Sequence, residues 1–423
     1  MKTLEYPSLQ EKIIQILPRN LKVTIIPKKG FLKKYALLGV EVGSNDIHFE
    51  WQGQEHHVPL GIAHFLEHLL FEREEGNAFT LFSSQTASTN AYTSHTQTAY
   101  LFSCTGYYFE NLKLLLDFVL QPYFPSQIVE KEKGVISEEI KMEEDNPSWK
   151  CYTNLLQGLF INHPVREEIA GTQESIREIS QEVLNLFYQA FYQPSLMNLI
   201  LVGDIHEKET EEFLSSFLEQ KEWNQTETPK RIRPNEPAQV ASPRKTYSMD
   251  IKVPYFLLGY KYIPSISVSL KERLKQQTAL NLALDLLFSK RTEFYKKIYN
   301  AGLILPGFSY SHMGEKEYEY TIIGGETFKP QELEEALRNQ ILAAQQKGFE
   351  KRDFEILKRK TLGSFLMSLD SVGFVANQFL DFAPWDFHPF DYPALLDSIT
   401  LSDVQEAIQL LKEESSSVSI ISS

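Results

Sequence analysis

The chain has 423 residues, 42% hydrophobic and 23% charged, with a net charge of −14. This is the composition of a soluble globular protein with room for one or two cored domains. The acidic surplus argues against a nucleic-acid partner, because such binding rests on Lys and Arg neutralising phosphates. Two cysteines, Cys104 and Cys151, give no disulfide framework and point to a reducing, cytoplasmic compartment.

In chain order, the opening MKTLEYPSLQEKIIQILPRN lacks the uninterrupted apolar core of a secretory signal. No later segment approaches the roughly 20 apolar residues of a membrane span. LKVTIIPKKG and KYALLGVEVGS predict two strands joined by a polar turn at Lys28, Lys29 and Gly30. GIAHFLEHLLFE (61–72) predicts a helix, and TASTNAYTSHTQTAYLFSCT, rich in Thr and Tyr without helical period, predicts strands. YFENLKLLLDFVL and SQIVEKEKGVISEEIKMEED predict helices, the second capped by Ser126 and ended by Asn146–Pro147. QEVLNLFYQAFY predicts a helix and PSLMNLILVGDI a buried strand.

Between Trp223 and Lys245 the chain turns polar and holds four prolines, the composition of a linker. The order then starts again: strand YFLLGYKYIP, helix KERLKQQTALNLALDLLFS, strand EYEYTIIGGE, then helices PQELEEALRNQILAAQQKG and FEKRDFEILKRKTLGSFLMS. Both parts pair a helix, a short break at an aromatic and a charged helix, so two related α+β halves are expected. The expected division is 1–222, a linker at 223–245, and 246–423.

Positions i and i+4 share a helix face, so His64 and His68 can present imidazoles to one point with Glu67 beside them. Two neutral imidazoles and a carboxylate suit Zn²⁺, leaving a position for water. A free carboxylate, Glu67, can then serve as general base. The order His-x-x-Glu-His inverts the commoner zinc-protease motif. The plain alternative is an amphipathic helix whose polar face holds these residues. A third ligand is sought in EKEKGVISEEI, where Val135, Ile136, Ile140 and Met142 are expected to mark the packed side. Glu132 and Glu139, seven apart, share one face and can act as supporting carboxylate and ligand. A solvated acidic face would show the same composition.

GIAHFLEHLLFE, NAYTSHTQTAYLF, EKEKGVISEEI and HPVREEIAGTQESI together resemble the inverzincin (pitrilysin-like, M16) metallopeptidases. FSKRTEFYKKIYNAGLI and YTIIGGET extend the likeness into the second half. Within the family the likeness is greatest to subunits of bacteriocin (subtilosin-type) maturation, with elongation-factor-P-associated peptidase-like subunits close behind; both stay open. The resemblance implies an α+β fold of two homologous α/β-roll domains, mixed sheets flanked by helices, forming half of a clam-shell chamber. It implies one Zn²⁺ per chain on His64, His68 and Glu139, with Glu67 as general base and Glu132 assisting. Asn90, Ala91 and Tyr92 would lie where an extended peptide adds as a strand. His95, in the same stretch, reads as an ordinary packing residue.

Active members carry an Arg and a Tyr in the second half that stabilise the oxyanion. Here Tyr299 stands about where the Arg is expected, and Ile304 or Leu305 where the Tyr is; Tyr310 is nearby but out of register. Aliphatic side chains cannot donate a hydrogen bond. The expected remedy is a homologous subunit without zinc that carries the Arg/Tyr pair, making a heterodimer. A weakly active or inactive homodimer, substitution by Tyr310 or Tyr299 after a local shift, and a non-catalytic scaffold subunit are the alternatives. The substrate class implied is a short peptide.

Overall fold

The computed structural model describes residues 1–74, 76–220, 227–265 and 267–423. The first half holds β1 (Lys2–Tyr6), β2 (Glu11–Ile16), β3 (Lys22–Pro27), β4 (Lys34–Val40), β5 (His48–Trp51), β6 (Gln54–His57), α1 (Ile62–Leu70), α2 (Ala78–Ser84), β7 (Ser88–Thr93) and β8 (Thr98–Cys104). It continues with α3 (Tyr108–Leu120), α4 (Ser126–Glu144), α5 (Pro147–Leu159), α6 (Gln181–Phe191), β9 (Met197–Gly203) and α7 (Glu207–Glu219). After β10 (Lys230–Arg231) the second half holds β11 (Arg244–Ser248), β12 (Tyr255–Tyr262), α8 (Leu270–Phe288), α9 (Glu293–Asn300), β13 (Ser309–Gly314) and β14 (Glu319–Glu326). It closes with α10 (Pro330–Lys347), α11 (Lys351–Ser368), α12 (Val372–Phe382), α13 (Tyr392–Ser398), α14 (Leu401–Ala407) and β15 (Ser416–Ser422).

The expected repeat is written in the sheet topology. The larger sheet runs β1-β2-β3-β9-β4-β8-β7 and the smaller β11-β15-β12-β14-β13. Five strands of the first therefore map onto the second, including one parallel pair at the same place, β3 with β9 and β11 with β15. The other matched pairs are antiparallel in both sheets. The fold is thus α+β with two related halves. The hairpin β1-β2, built from the opening MKTLEYPSLQEKIIQI, extends the larger sheet.

Period-two alternation sends strand residues to two different cores. In β4 and β9, Ala36, Leu38, Leu199 and Leu201 face the core roofed by α1, α3 and α6. Leu37, Ile200 and Val202 face the other way, onto Val372, Val375, Ala376 and Phe379 of α12. The second half mirrors this: Phe256 and Leu258 of β12 face its own helices, whereas Leu257 meets Leu155 and Leu156 of α5. Each half therefore lends one helix to the back of the other's sheet. Both contacts need a glycine. A Cβ at Gly39 in β4 would lie 2.2 Å from Leu380 of α12, and one at Gly259 in β12 would lie 2.9 Å from Leu155 of α5.

The start of the expected linker, residues 223–226, and the boundary at 222 lie outside the described residues. The remainder is docked. β10 pairs with β5, and Arg231 and Arg233 both reach Asp46 Oδ1, at 2.8 and 2.6 Å. Glu236 accepts the backbone N–H groups of Ile161, Asn162 and His163 and a bond from Lys261. Its prolines shape a strap rather than a free tether.

Ser126 opens α4 without capping it; Pro125 is the cap residue and the Ser126 hydroxyl donates to Gln181. Val135 and Met142, expected on the packed side of α4, are 47% and 68% exposed, and only Ile136 and Ile140 of that set are buried. Among the described residues no helix is long and apolar enough to cross a membrane, and both cysteines are free and buried.

Gly39→Val should destabilise the chain by about 1–3 kcal/mol through overpacking against α12. Leu380→Ala in the same chain should recover part of that loss, because the two side chains compete for one space. Urea unfolding of the four proteins checks this; strictly additive changes would contradict the shared contact.

Candidate metal centre

Helix α1 starts at Gly61, whose φ of 84° is left-handed and where a Cβ would lie 2.3 Å from the Ala170 carbonyl oxygen. The loop carrying HPVREEIAGTQESI thus packs directly under the helix start. Ile62, Phe65, Leu66, Leu69 and Leu70 sink into the core and hold the helix. His64 and His68 share the remaining face, their ring centroids 4.6 Å apart.

Helix α4 seats Ile136 and Ile140 in the same core and turns two carboxylates toward the imidazoles. Glu139 places Oε1 3.6 Å from His64 Nε2 and Oε2 3.4 Å from His68 Nε2. One ligand atom each from His64, His68 and Glu139 lie within 4.8 Å of one another. Glu132 Oε1 is 2.9 Å from His68 Nδ1. With Nδ1–H donated to Glu132, the His68 Nε2 lone pair faces Glu139.

Burial, then the neighbouring His68, lowers the His64 pKa from 6.5 to about 3, so that ring is neutral at pH 7. Burial also opposes charge on His68, but the Glu132 hydrogen bond and the charges of Glu139 and Glu67 outweigh it and raise its pKa. The N···O separations are longer than a good hydrogen bond. They approach the roughly 3.3 Å edge of a tetrahedron with bonds of about 2.0–2.1 Å. Two imidazole nitrogens and a carboxylate, spaced too widely to bond one another and converging on one point, fit a zinc ion.

Glu67 stands beside this cluster, 8% exposed. Burial raises its pKa, partly offset by a hydrogen bond from Thr93 and by His68. The Thr93 hydroxyl donates to Glu67 Oε2 at 2.7 Å, which leaves Oε1 available for another partner. Thr93 ends β7 and was not singled out in the sequence. The only signal was its hydroxyl two residues after Ala91, on the same strand face.

Among the described residues β7 pairs with β8 and has no strand on its other side. Asn90 is exposed on this edge and Ala91 packs against the α1 core. Tyr92 points the opposite way: its hydroxyl donates to Asn377 of α12 at 3.2 Å. Its side chain belongs to the contact between halves, and only its backbone stands at the edge. His95 is a packing residue, with Nδ1 2.9 Å from Ser44 Oγ and a pKa lowered by burial to about 4.

In the second half Tyr299 is 50% exposed and its ring stacks on Tyr295. Ile304 is buried. The Tyr310 hydroxyl donates to Asp285 at 2.7 Å and is thereby engaged.

Residues 53–173 match the family described as Insulinase (Peptidase family M16), and residues 178–361 match the Peptidase M16 inactive domain. The uncharacterized zinc protease YmfH of Bacillus subtilis is 40% identical over 415 residues, 97% of this chain and 96% of the relative. The chain belongs to peptidase family M16. A second relative, the uncharacterized zinc protease YmxG of the same organism, is 26% identical across 82% of this chain and 83% of its own. The crystal structure of an M16-like peptidase from Alicyclobacillus acidocaldarius superposes with a TM-score of 0.93 at 33% identity, covering 99% of this chain and 100% of that one. The periplasmic protease PqqL of Escherichia coli shares the fold, with a TM-score of 0.72 at 19% identity over 97% of this chain and 47% of that one. YmfH and YmxG are named zinc proteases, and the side chains assembled here suit that ion.

Glu132→Gln should weaken zinc retention about 10–100-fold, since it loosens the ring that Glu132 orients. Competition with a chelator, monitored by elemental analysis, measures it; unchanged retention would remove Glu132 from the support of the site.

Proposed function

We propose that this M16 chain is a zinc-dependent endopeptidase subunit that cleaves short unfolded peptides in a chamber formed with a homologous partner. The observation that carries this reading is the convergence of His64, His68 and Glu139, with Glu67 alongside and braced by Thr93. His64, His68 and Glu139 would hold the zinc, which when bound polarises a carbonyl and acidifies water. Glu67 takes a proton from the attacking water and delivers one to the leaving amine. Its buried site favours the first transfer, because burial opposes the charged carboxylate and so strengthens Glu67 as a base. Thr93 holds Oε2 so that Oε1 meets the water. The free edge of β7, at Asn90 to Tyr92, would bind the peptide by backbone hydrogen bonds with little demand on its sequence.

The partner is inferred from what the chain lacks. Tyr299 is turned to solvent, Ile304 is buried, and Tyr310 is bonded to Asp285. Ile304 has no donor group and the Tyr310 hydroxyl is committed to Asp285, so neither offers an oxyanion a hydrogen bond. The likeness to PqqL spans only about half of that protein, which agrees with two such units making one peptidase. A homologous subunit carrying an Arg/Tyr pair would complete the site in a heterodimer; a homodimer would lack these donors. Bacteriocin precursors or their leaders are among the substrates this reading covers, and a cytoplasmic location goes with the two free cysteines. The same missing donors favour a second reading, a non-catalytic scaffold subunit.

Glu67→Gln should keep stoichiometric zinc and abolish cleavage of a quenched peptide by the paired enzyme. Retained turnover would remove Glu67 from the mechanism. Zinc without turnover under any pairing of the wild-type chain would establish the scaffold reading. Thr93→Val should lower kcat about tenfold or more, with Thr93→Ser restoring it and zinc content unchanged in both.

A further inference from the structure

The hairpin β5-β6 carries a second group of metal-type side chains that the proposed peptidase chemistry does not use. Its two-residue loop, Gln52 and Gly53, has φ values of 52° and 72°. This is the doubly left-handed turn that matches strand twist and fixes register. Phe49 and Trp51 anchor one face in the core. The opposite face presents His48, Glu50, Glu55 and His57, with His48 directly across from His57 and Glu50 from Glu55. The Val58 N–H donates to the Ile47 carbonyl, so the adjoining His48–His57 pair is the non-hydrogen-bonded kind, where side chains come closest.

The two imidazoles lie 3.7 Å apart between centroids. Glu55 Oε1 reaches both, 2.6 Å from His48 Nε2 and 3.5 Å from His57 Nε2. One ligand atom each from His48, Glu55 and His57 lie within 4.8 Å of one another. Glu50 leans to Lys230, 3.9 Å away, and stays outside the group.

We propose that His48, Glu55 and His57 form a second divalent transition-metal site, separate from the cluster of α1 and α4. Two imidazoles and one carboxylate select Zn²⁺, Ni²⁺ or Cu²⁺ over Mg²⁺ and Ca²⁺. In the structure the rings stack nearly parallel, so both lone pairs converge only after one ring turns. His57, 70% exposed, has the space to turn, while His48, 23% exposed, is held by the hairpin. Solvent fills the remaining positions, and the exposure makes this site weaker than the buried one.

The test is calorimetric titration of the metal-stripped full chain with Zn²⁺, about one pH unit above the ordinary histidine pKa. Three proteins are compared: wild type, His48→Asn with His57→Asn, and His64→Asn with His68→Asn. The wild type should take up two ions, a tight and a weaker one, and each variant one. The hairpin variant should lose the weaker event, and His57→Asn alone should weaken it about tenfold or more. His48 and His57 are not core residues, so an unchanged thermal transition would show that the variant is folded. A wild type that binds one ion, or a hairpin variant that still binds two, would overturn the proposal. Loss of the tight event only in the His64/His68 variant bears on the peptidase reading separately, so the two ideas fail independently.

Discussion

Each of the two repeated sheets has a back face that its own half does not cover. Leu37, Ile200 and Val202 of the larger sheet would meet water without α12, and Leu257 and Ile421 of the smaller would do so without α5. Two helices that follow the same place in each repeat are exchanged across the molecule to close both faces. Apolar area removed from water is the main favourable term in folding, so the halves are coupled through that exchange rather than through the strap between them. Gly39 and Gly259 mark the two contacts, one in each repeat.

The group of His64, His68 and Glu139 lies on the front of the larger sheet, on two helices that share its core. α1 is clamped between apolar neighbours below and the Ala170 loop at its start, so His64 and His68 have little freedom. Burial then does chemical work. It keeps His64 neutral with its lone pair available and raises the pKa of Glu67, two shifts in opposite charge states with one physical cause. Glu132 and Thr93 each hold one atom of a working side chain and leave the other free. A site of this kind depends on supporting bonds as much as on its ligands.

The second half repeats the architecture but not the chemistry. Where α1 offers histidines, α8 offers Arg273 and Gln277, which bond Glu319, itself bonded to His312. That buried cluster is closed on itself. Its polar groups face one another and not an open ligand position, in keeping with the match of this region to an M16 inactive domain. The two related halves thus differ in what fills one equivalent space: His64 and His68 in the first, the Arg273–Glu319 cluster in the second.

Helical period alone put His64 and His68 on one face, and apolar runs marked β4, β9 and β12 as strands. Those patterns are local, so they are legible without any partner. The heptad spacing of Glu132 and Glu139 was legible too, as was the doubling of the chain. Tertiary structure decided what stands opposite each face. It turned Tyr92 toward α12 and away from the open edge of β7, left Val135 and Met142 exposed, bound the proline-rich strap to Asp46 and Asp46's neighbours, and brought Thr93 to Glu67. The physical reason is the same in each case: periodicity states which residues share a side, but only packing between distant segments supplies the partner that makes a side buried, bonded or free.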